Sequence, residues 1–223
     1  MEDITAMIKV KICGLKSKSS VQQAVLSGAD YIGFVFYNKS PRYVNPMDAH
    51  QLSNLIPKQT KKVGLFVDVP LYELEAILAK NQLDYLQLHG QESPQMVSDL
   101  KRQFGVPIIK AIGIADKSDL QQIDRYEMVC DKLLIDTKAS PLLNLPGGNG
   151  LTFDWGLISN RKFKCPWLLA GGLTSKNVTN AINISGATQV DVSSGVEIEL
   201  GMKDNSKIAD FINVVKNGDK DRR

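Results

Sequence analysis

Ile8-Lys9-Val10-Lys11-Ile12-Cys13-Gly14 alternates apolar and polar side chains and then breaks on a glycine. Successive side chains of an extended chain point to opposite faces, so Ile8, Val10 and Ile12 share one face and Lys9, Lys11 and Cys13 the other. A buried parallel strand is ordinarily apolar on both faces. Here the polar face ends in an ammonium and a thiol at the strand's carboxyl end, where open α/β sheets and α/β barrels keep their active sites. A lysine beside a cysteine favours the thiolate, the form that works as base or nucleophile. An isolated strand cysteine is ordinarily structural, so the weight falls on the residues around it.

Working outward, strand-like runs recur near 8–13, 30–36, 61–67, 84–89, 107–112, 131–136, 166–170 and 188–193, with helical patterns at 18–27, 47–56, 71–80, 93–104, 117–127, 174–183 and 205–216. Ser20, Ser93 before a proline, and Thr174 with Asn177 are the expected helix caps, and Gly28 and Gly186 the expected helix stops. Eight strands alternating with helices in 223 residues predict a single-domain α/β fold, the (β/α)8 TIM barrel. A doubly wound open sheet is the competing architecture, but it usually opens with a Gly-rich turn, and neither G-x-G-x-x-G nor a P-loop occurs. The predicted barrel spans 8–215, after an extension of residues 1–7 and before a frayed, charged tail of 216–223.

Composition narrows the class. The chain is 43% hydrophobic and 23% charged, with a net charge of +3 and no block of five like charges, which argues against a nucleic-acid groove or a polybasic membrane anchor. No apolar run is long enough to span a membrane. Three cysteines without paired spacing fit a reducing compartment, and the first residues lack secretory or transit character, so a cytoplasmic protein is expected. No Cys/His spacing suggests a metal site. His50, Cys130 and Cys165 read as structural.

Strand parity collects the chemistry. Leu133-Leu134-Ile135-Asp136 ends in a carboxylate, Gln87 and His89 share the polar side of Tyr85-Leu86-Gln87-Leu88-His89, and Asp191 lies between two valines. In a barrel Lys11, Cys13, His89, Asp136 and Asp191 converge at one mouth, and buried polar groups so gathered are more often functional than a structural network. Two Gly-rich turns, with Gly171 and Gly172 after the seventh strand and Ser194 and Gly195 after the eighth, fall where barrels commonly bind phosphate. Arg42, in the loop after the second strand, has the fork to grip a carboxylate. The sixth unit is irregular, a long loop running from Asp136 to Gly150.

Lys11-Ile12-Cys13-Gly14-Leu15, Ser40-Pro41-Arg42-Tyr43-Val44, Gln87-Leu88-His89-Gly90, Leu134-Ile135-Asp136-Thr137, Gly147-Gly148-Asn149-Gly150 with Phe153-Asp154-Trp155, Leu169-Ala170-Gly171-Gly172-Leu173 and Val190-Asp191-Val192-Ser193-Ser194-Gly195-Val196-Glu197 occur in this order. Together they resemble the phosphoribosylanthranilate isomerase family from Ile8 to about Val215. Asn149 departs from the small hydroxyl residue more usual between those glycines, and the six residues before Met7, itself a candidate start, lie outside the pattern.

The resemblance implies an Amadori rearrangement of a phosphorylated small-molecule substrate in the tryptophan branch, with Asp136 as general acid and Cys13 as general base. It further implies substrate contacts from Arg42, His89, Asp191 and Lys11, phosphate held by Gly171, Gly172, Ser194 and Gly195, no cofactor, and a monomer or homodimer. These roles demand a thiol pKa lowered by Lys11 and an Asp136 pKa raised by burial and Asp191. The rival readings are another phosphate-binding barrel, such as indole-3-glycerol phosphate synthase, and a barrel that binds a phosphorylated ligand without catalysis. The first relies on lysine and glutamate at strand ends where this chain has Cys13 and Asp136. The second leaves two proton-transfer residues without a task.

Overall fold

The computed structural model describes residues 7–138 and 150–218. Eight parallel strands, β1 (Lys9–Cys13), β2 (Tyr31–Val35), β3 (Lys61–Phe66), β4 (Tyr85–Leu88), β5 (Ile108–Ile114), β6 (Lys132–Thr137), β7 (Trp167–Leu169) and β8 (Gln189–Val192), close into a barrel in chain order. β1 pairs with β2 on one side and β8 on the other, with Cys13 opposite Gly33 and Lys11 opposite Asp191. Helices α1 (Lys18–Leu26), α2 (Pro46–Ser53), α3 (Leu71–Leu78), α4 (Pro94–Phe104), α5 (Leu120–Tyr126), α6 (Val178–Ser185) and α7 (Asn205–Gly218) surround it. A short hairpin, β9 (Glu197–Glu199) and β10 (Met202–Lys203), stands beside the mouth after β8. The expected (β/α)8 barrel is the observed fold.

Alternation divides the apolar residues into two cores. One side of each strand joins the helices in the large outer cluster that includes Val10, Ile12, Ile32 and Phe34. The other side fills the barrel with Tyr31, Val63, Ile109, Leu134 and Leu168, while Cys13, Val35 and Leu65 form a separate cluster. Near the amino ends of the strands Lys132 Nζ lies 3.2 Å from Tyr31 Oη and 3.1 Å from Gln189 Oε1, and over the rings of Tyr31 and Tyr85. The rings supply the attraction that a carboxylate would otherwise give a buried ammonium.

The same lower rim carries a repeat. Asp30, Asp84 and Asp131 each precede an even-numbered strand, and each accepts a 2.8 Å bond from a backbone amide of the strand before it: Val10, Lys62 and Ile108. In return the amides of Asp30, Asp84 and Asp131 donate to the carbonyls of those three residues.

α4 shows how sequence sets a helix. Ser93 Oγ accepts from Met96 N at 3.2 Å, Pro94 occupies the first turn, Val97 and Leu100 are buried, and Gly105 ends the helix at φ 62°. Other boundaries differ from expectation. Ser17, not Ser20, caps α1, because its hydroxyl accepts from Ser20 N. α2 begins one residue early, at Pro46, because Asn45 Oδ1 accepts from both Met47 N and Asp48 N at 3.0 Å. α6 begins at Val178, since Thr174 to Asn177 form a turn closed by Thr174 N on Asn177 Oδ1. In the sixth unit the described residues form a 3-10 turn, Trp155–Ile158. Gly147, Gly148 and Asn149 lie outside the described residues, as do most of the extension and residues 219–223. Residues 216–218, expected in the tail, belong to α7, and Lys216 Nζ donates to Ile8 O at 2.9 Å and Asp30 Oδ2 at 2.7 Å. No helix among the described residues is long and apolar enough to cross a membrane.

Candidate active site

The carboxyl ends of the strands bring the expected groups to one mouth. Asp136 ends the barrel-facing row of β6. Its Oδ1 accepts from Thr137 N at 2.7 Å and its Oδ2 lies 3.4 Å from His89 Nε2. Gln87, two residues before His89 on the same face, places its amide nitrogen 3.0 Å from Nδ1. An amide NH2 can only donate, so Nδ1 is the accepting nitrogen and Nε2 is the one that faces Asp136.

Asp136 lines two pockets. One, of about 30 Å³, lies against Gly171, Gly172, Asp191, Ser193 and Ser194. The other, of about 520 Å³, runs past His89, Gly90, Gln122 and Arg125. Gly171 and Gly172 have φ of 86° and 60°, and a side chain at Gly171 would strike Thr137 and approach Asp136. Ser194 lines the small pocket and Gly195 does not. A side chain at Gly195 would collide with Leu173 O, so its glycine lets the turns after β7 and β8 touch.

Lys11, Cys13 and Asp191 form the opposite wall. Lys11 Nζ lies 2.9 Å from Asp191 Oδ1, and the lysine side chain, expected among the substrate contacts, has no exposed surface. Cys13 is 4% exposed and lines neither pocket. Its thiol pKa is raised, not lowered. Burial pushes it up, Lys11 pulls it down, and Asp191 adds to the upward push. Lys11 is itself raised: burial works against the ammonium, but Asp191 and Cys13 together outweigh it.

Arg42 grips a carboxylate, but one from its own chain. Nε lies 2.7 Å from Glu197 Oε1 and Nη2 2.9 Å from Oε2, and Arg42 is 4% exposed. Lys203 Nζ joins Glu197 Oε1 at 2.7 Å and Ser193 O at 2.9 Å. Arg42 packs over Gly14, where a Cβ would approach its Cδ to 2.9 Å. Glu197 is held below the usual carboxylate range: burial raises it, but bonds and charge from Arg42 and Lys203 prevail.

Three supporting groups went unread in the sequence. Glu197 was visible only as the end of a motif, and Lys203 carried no signal at all. Gly33 sits opposite Cys13, and a Cβ there would lie 2.9 Å from Cys13 Sγ. A further buried pair, Lys110 Nζ and Glu92 Oε2 at 2.8 Å, clamps the turn that carries His89, since Glu92 also accepts from Gly90 N and Lys110 donates to Gly90 O. No cluster of His, Cys, Asp or Glu among the described residues has the makings of a metal site.

Known proteins share this chain's pattern. A family model described as N-(5'phosphoribosyl)anthranilate (PRA) isomerase matches residues 10–214. The N-(5'-phosphoribosyl)anthranilate isomerase of Cereibacter sphaeroides is 47% identical over 95% of this chain and 100% of its own. That of Paracoccus denitrificans is 49% identical over 92% of this chain and 95% of its own. Among solved structures, the phosphoribosyl anthranilate isomerase of Thermotoga maritima aligns at a TM-score of 0.85 and 36% identity, covering 95% of this chain and 100% of its own. A phosphoribosyl anthranilate isomerase in complex with reduced 1-(o-carboxyphenylamino)-1-deoxyribulose 5-phosphate aligns at 0.82 with 34% identity, over 95% of this chain and 100% of its own.

Proposed function

Since the chain belongs to the N-(5'-phosphoribosyl)anthranilate isomerase family, we propose that it performs the Amadori rearrangement with Asp136 as general acid and Cys13 as general base. The protein is an isomerase of the aldose–ketose type. In the proposed mechanism Asp136, protonated, gives its proton to the furanose ring oxygen, and the C1–O bond opens to an iminium. Cys13, as thiolate, then takes the proton from C2, leaving an enolamine that becomes the 2-ketose. The cationic iminium acidifies C2 and eases the demand on a thiol whose pKa burial has raised.

The observation that carries this reading is the position of Asp136. It lies between the small pocket of the Gly-rich turns and the larger space beside His89. A phosphate seated on Gly171, Gly172 and Ser194 would place the ribose against Asp136, with backbone N–H groups of the two turns answering the anion's charge. Gly195 serves this by keeping the two turns in contact. Asp191 then faces the anthranilate nitrogen, and Arg42, oriented by Glu197, receives the anthranilate carboxylate. The test is turnover of freshly made phosphoribosylanthranilate by purified protein, followed through anthranilate fluorescence. Substrate consumption that is lost in both Cys13→Ala and Asp136→Asn is expected. Binding without consumption by the unaltered protein would overturn the proposal.

A further inference from the structure

Lys11 is an ammonium at the centre of the barrel wall, with no exposed surface and an in-register carboxylate, Asp191, at 2.9 Å. Such a pair gives little net stability, because each ion loses its water and an apolar pair of the same volume packs as well. Its place suggests another use. Cys13 follows Lys11 by two residues on the same strand face, and a Cβ built on Gly33 would lie 2.9 Å from Cys13 Sγ and 3.2 Å from Lys11 Nζ. Thiol and ammonium therefore converge on the space that Gly33 leaves open. Asp191 alone of the three lines the small pocket of the mouth.

Building on the reading of Cys13 as the base, we propose that Lys11 is a positioning residue that sets the charge state of Cys13, with Asp191 as its counterweight. The ammonium favours thiolate, and the carboxylate both opposes thiolate directly and draws the ammonium away. A substrate N–H that binds Asp191 divides that carboxylate's attention and leaves Lys11 more fully to the thiol. The base is thus strengthened when a substrate is present and kept protonated, hence unreactive, when none is. The directions of the electrostatic effects agree: Lys11 pulls the thiol pKa down and Asp191 pushes it up.

The other charged groups around Cys13 are fixed. Lys203 of β10 is bound to Glu197 of β9, and Glu197 to Arg42 from the loop after β2. β2 sets Gly33 and the apolar Val35 against Cys13, and Asp136 with His89 belongs to the β4 and β6 side of the mouth.

The test is the pH dependence of Cys13 alkylation by iodoacetamide, resolved by peptide mass spectrometry so that Cys130 and Cys165 do not contribute. Only the midpoint is read, which separates charge from access. Lys11→Gln should move the midpoint up and Asp191→Asn should move it down, each by about one pH unit or more. The double variant, in which neither charge is left without its partner, should lie above Asp191→Asn; this comparison decides the matter if Lys11→Gln alone does not fold. A merely structural pair would shift both single variants the same way or not at all, and that result overturns the inference. Turnover by Cys13→Ser is measured alongside. If it survives, Cys13 is not the base and the catalytic use of the pair falls with it. If it is lost while the midpoints fail to diverge, the base stands and only Lys11's role is refuted.

Discussion

Replacing Glu197 by glutamine keeps the shape of the side chain and removes one charge from a site that holds two cations. Oε1 accepts from Arg42 Nε and Lys203 Nζ, and Oε2 from Arg42 Nη2 and Gly201 N, so each oxygen serves two donors. Whichever way the amide turns, its NH2 group points at two N–H donors. Both buried cations then lose the charge that Glu197 supplies. Removing one member of a buried pair costs roughly 3–5 kcal/mol, and in a chain of this size each kcal/mol is worth about 2–4 °C, so the melting point at pH 7 should fall by roughly 6–20 °C. KM for phosphoribosylanthranilate should rise as Arg42 loses its anchor.

The pH dependence has a defined sign. Glu197's folded pKa is depressed below its ordinary 4.5, so its stabilisation is present above that value and is lost as pH falls through the folded pKa. The melting difference between wild type and Glu197→Gln should accordingly shrink in acid. A calorimetric scan across pH with steady-state kinetics on the same samples checks all three outcomes. A variant that melts within 2 °C of wild type, on the order of a surface substitution, and keeps its KM would refute the anchoring role.

Cys13→Ser should lose about 10²–10⁴-fold in kcat with little change in melting point, and a variant keeping half the wild-type rate contradicts the general base. Because the Cys13 pKa is raised above 9.0 and the thiolate is the working form, kcat/KM should climb with pH through neutrality in stopped-flow assays. A limb with its midpoint below about 7 would show that something other than this thiol titrates. Asp136→Asn should be close to inactive while folding normally; a large melting shift with kcat preserved would make the carboxylate structural. Gly33→Ala should displace the thiol and cut kcat by up to about 100-fold, with KM nearly constant, and a kcat within twofold of wild type would mean that Cys13 Sγ has other room.

The strands were legible because burial on one face and chemistry on the other leave an alternation that no helix produces; β1 to β8 fall within two residues of expectation at every end. Cys13, His89, Asp136 and Asp191 could be read for the same reason, since parity and strand ends fix both side and height. What could not be read is set by partners distant in sequence. Arg42 looked like a free guanidinium because Glu197 lies 155 residues further along. Lys11 beside Cys13 suggested a lowered thiol pKa, whereas burial, invisible in a string of letters, dominates. The start of α1 was misplaced within a run of serines at 17, 19 and 20, where any of three hydroxyls could cap and only geometry chooses.

The aspartates at 30, 84 and 131 act like a ratchet for the barrel. Each locks one strand to the next at a single height, through a carboxylate on one amide and a backbone amide on one carbonyl. A slip by one residue would break both bonds and turn barrel-facing side chains outward. Alignment is thereby settled at the end of the barrel remote from the chemistry. In these three strand pairs the lock does not pass through the upper loops, so a change in a loop above them leaves it intact.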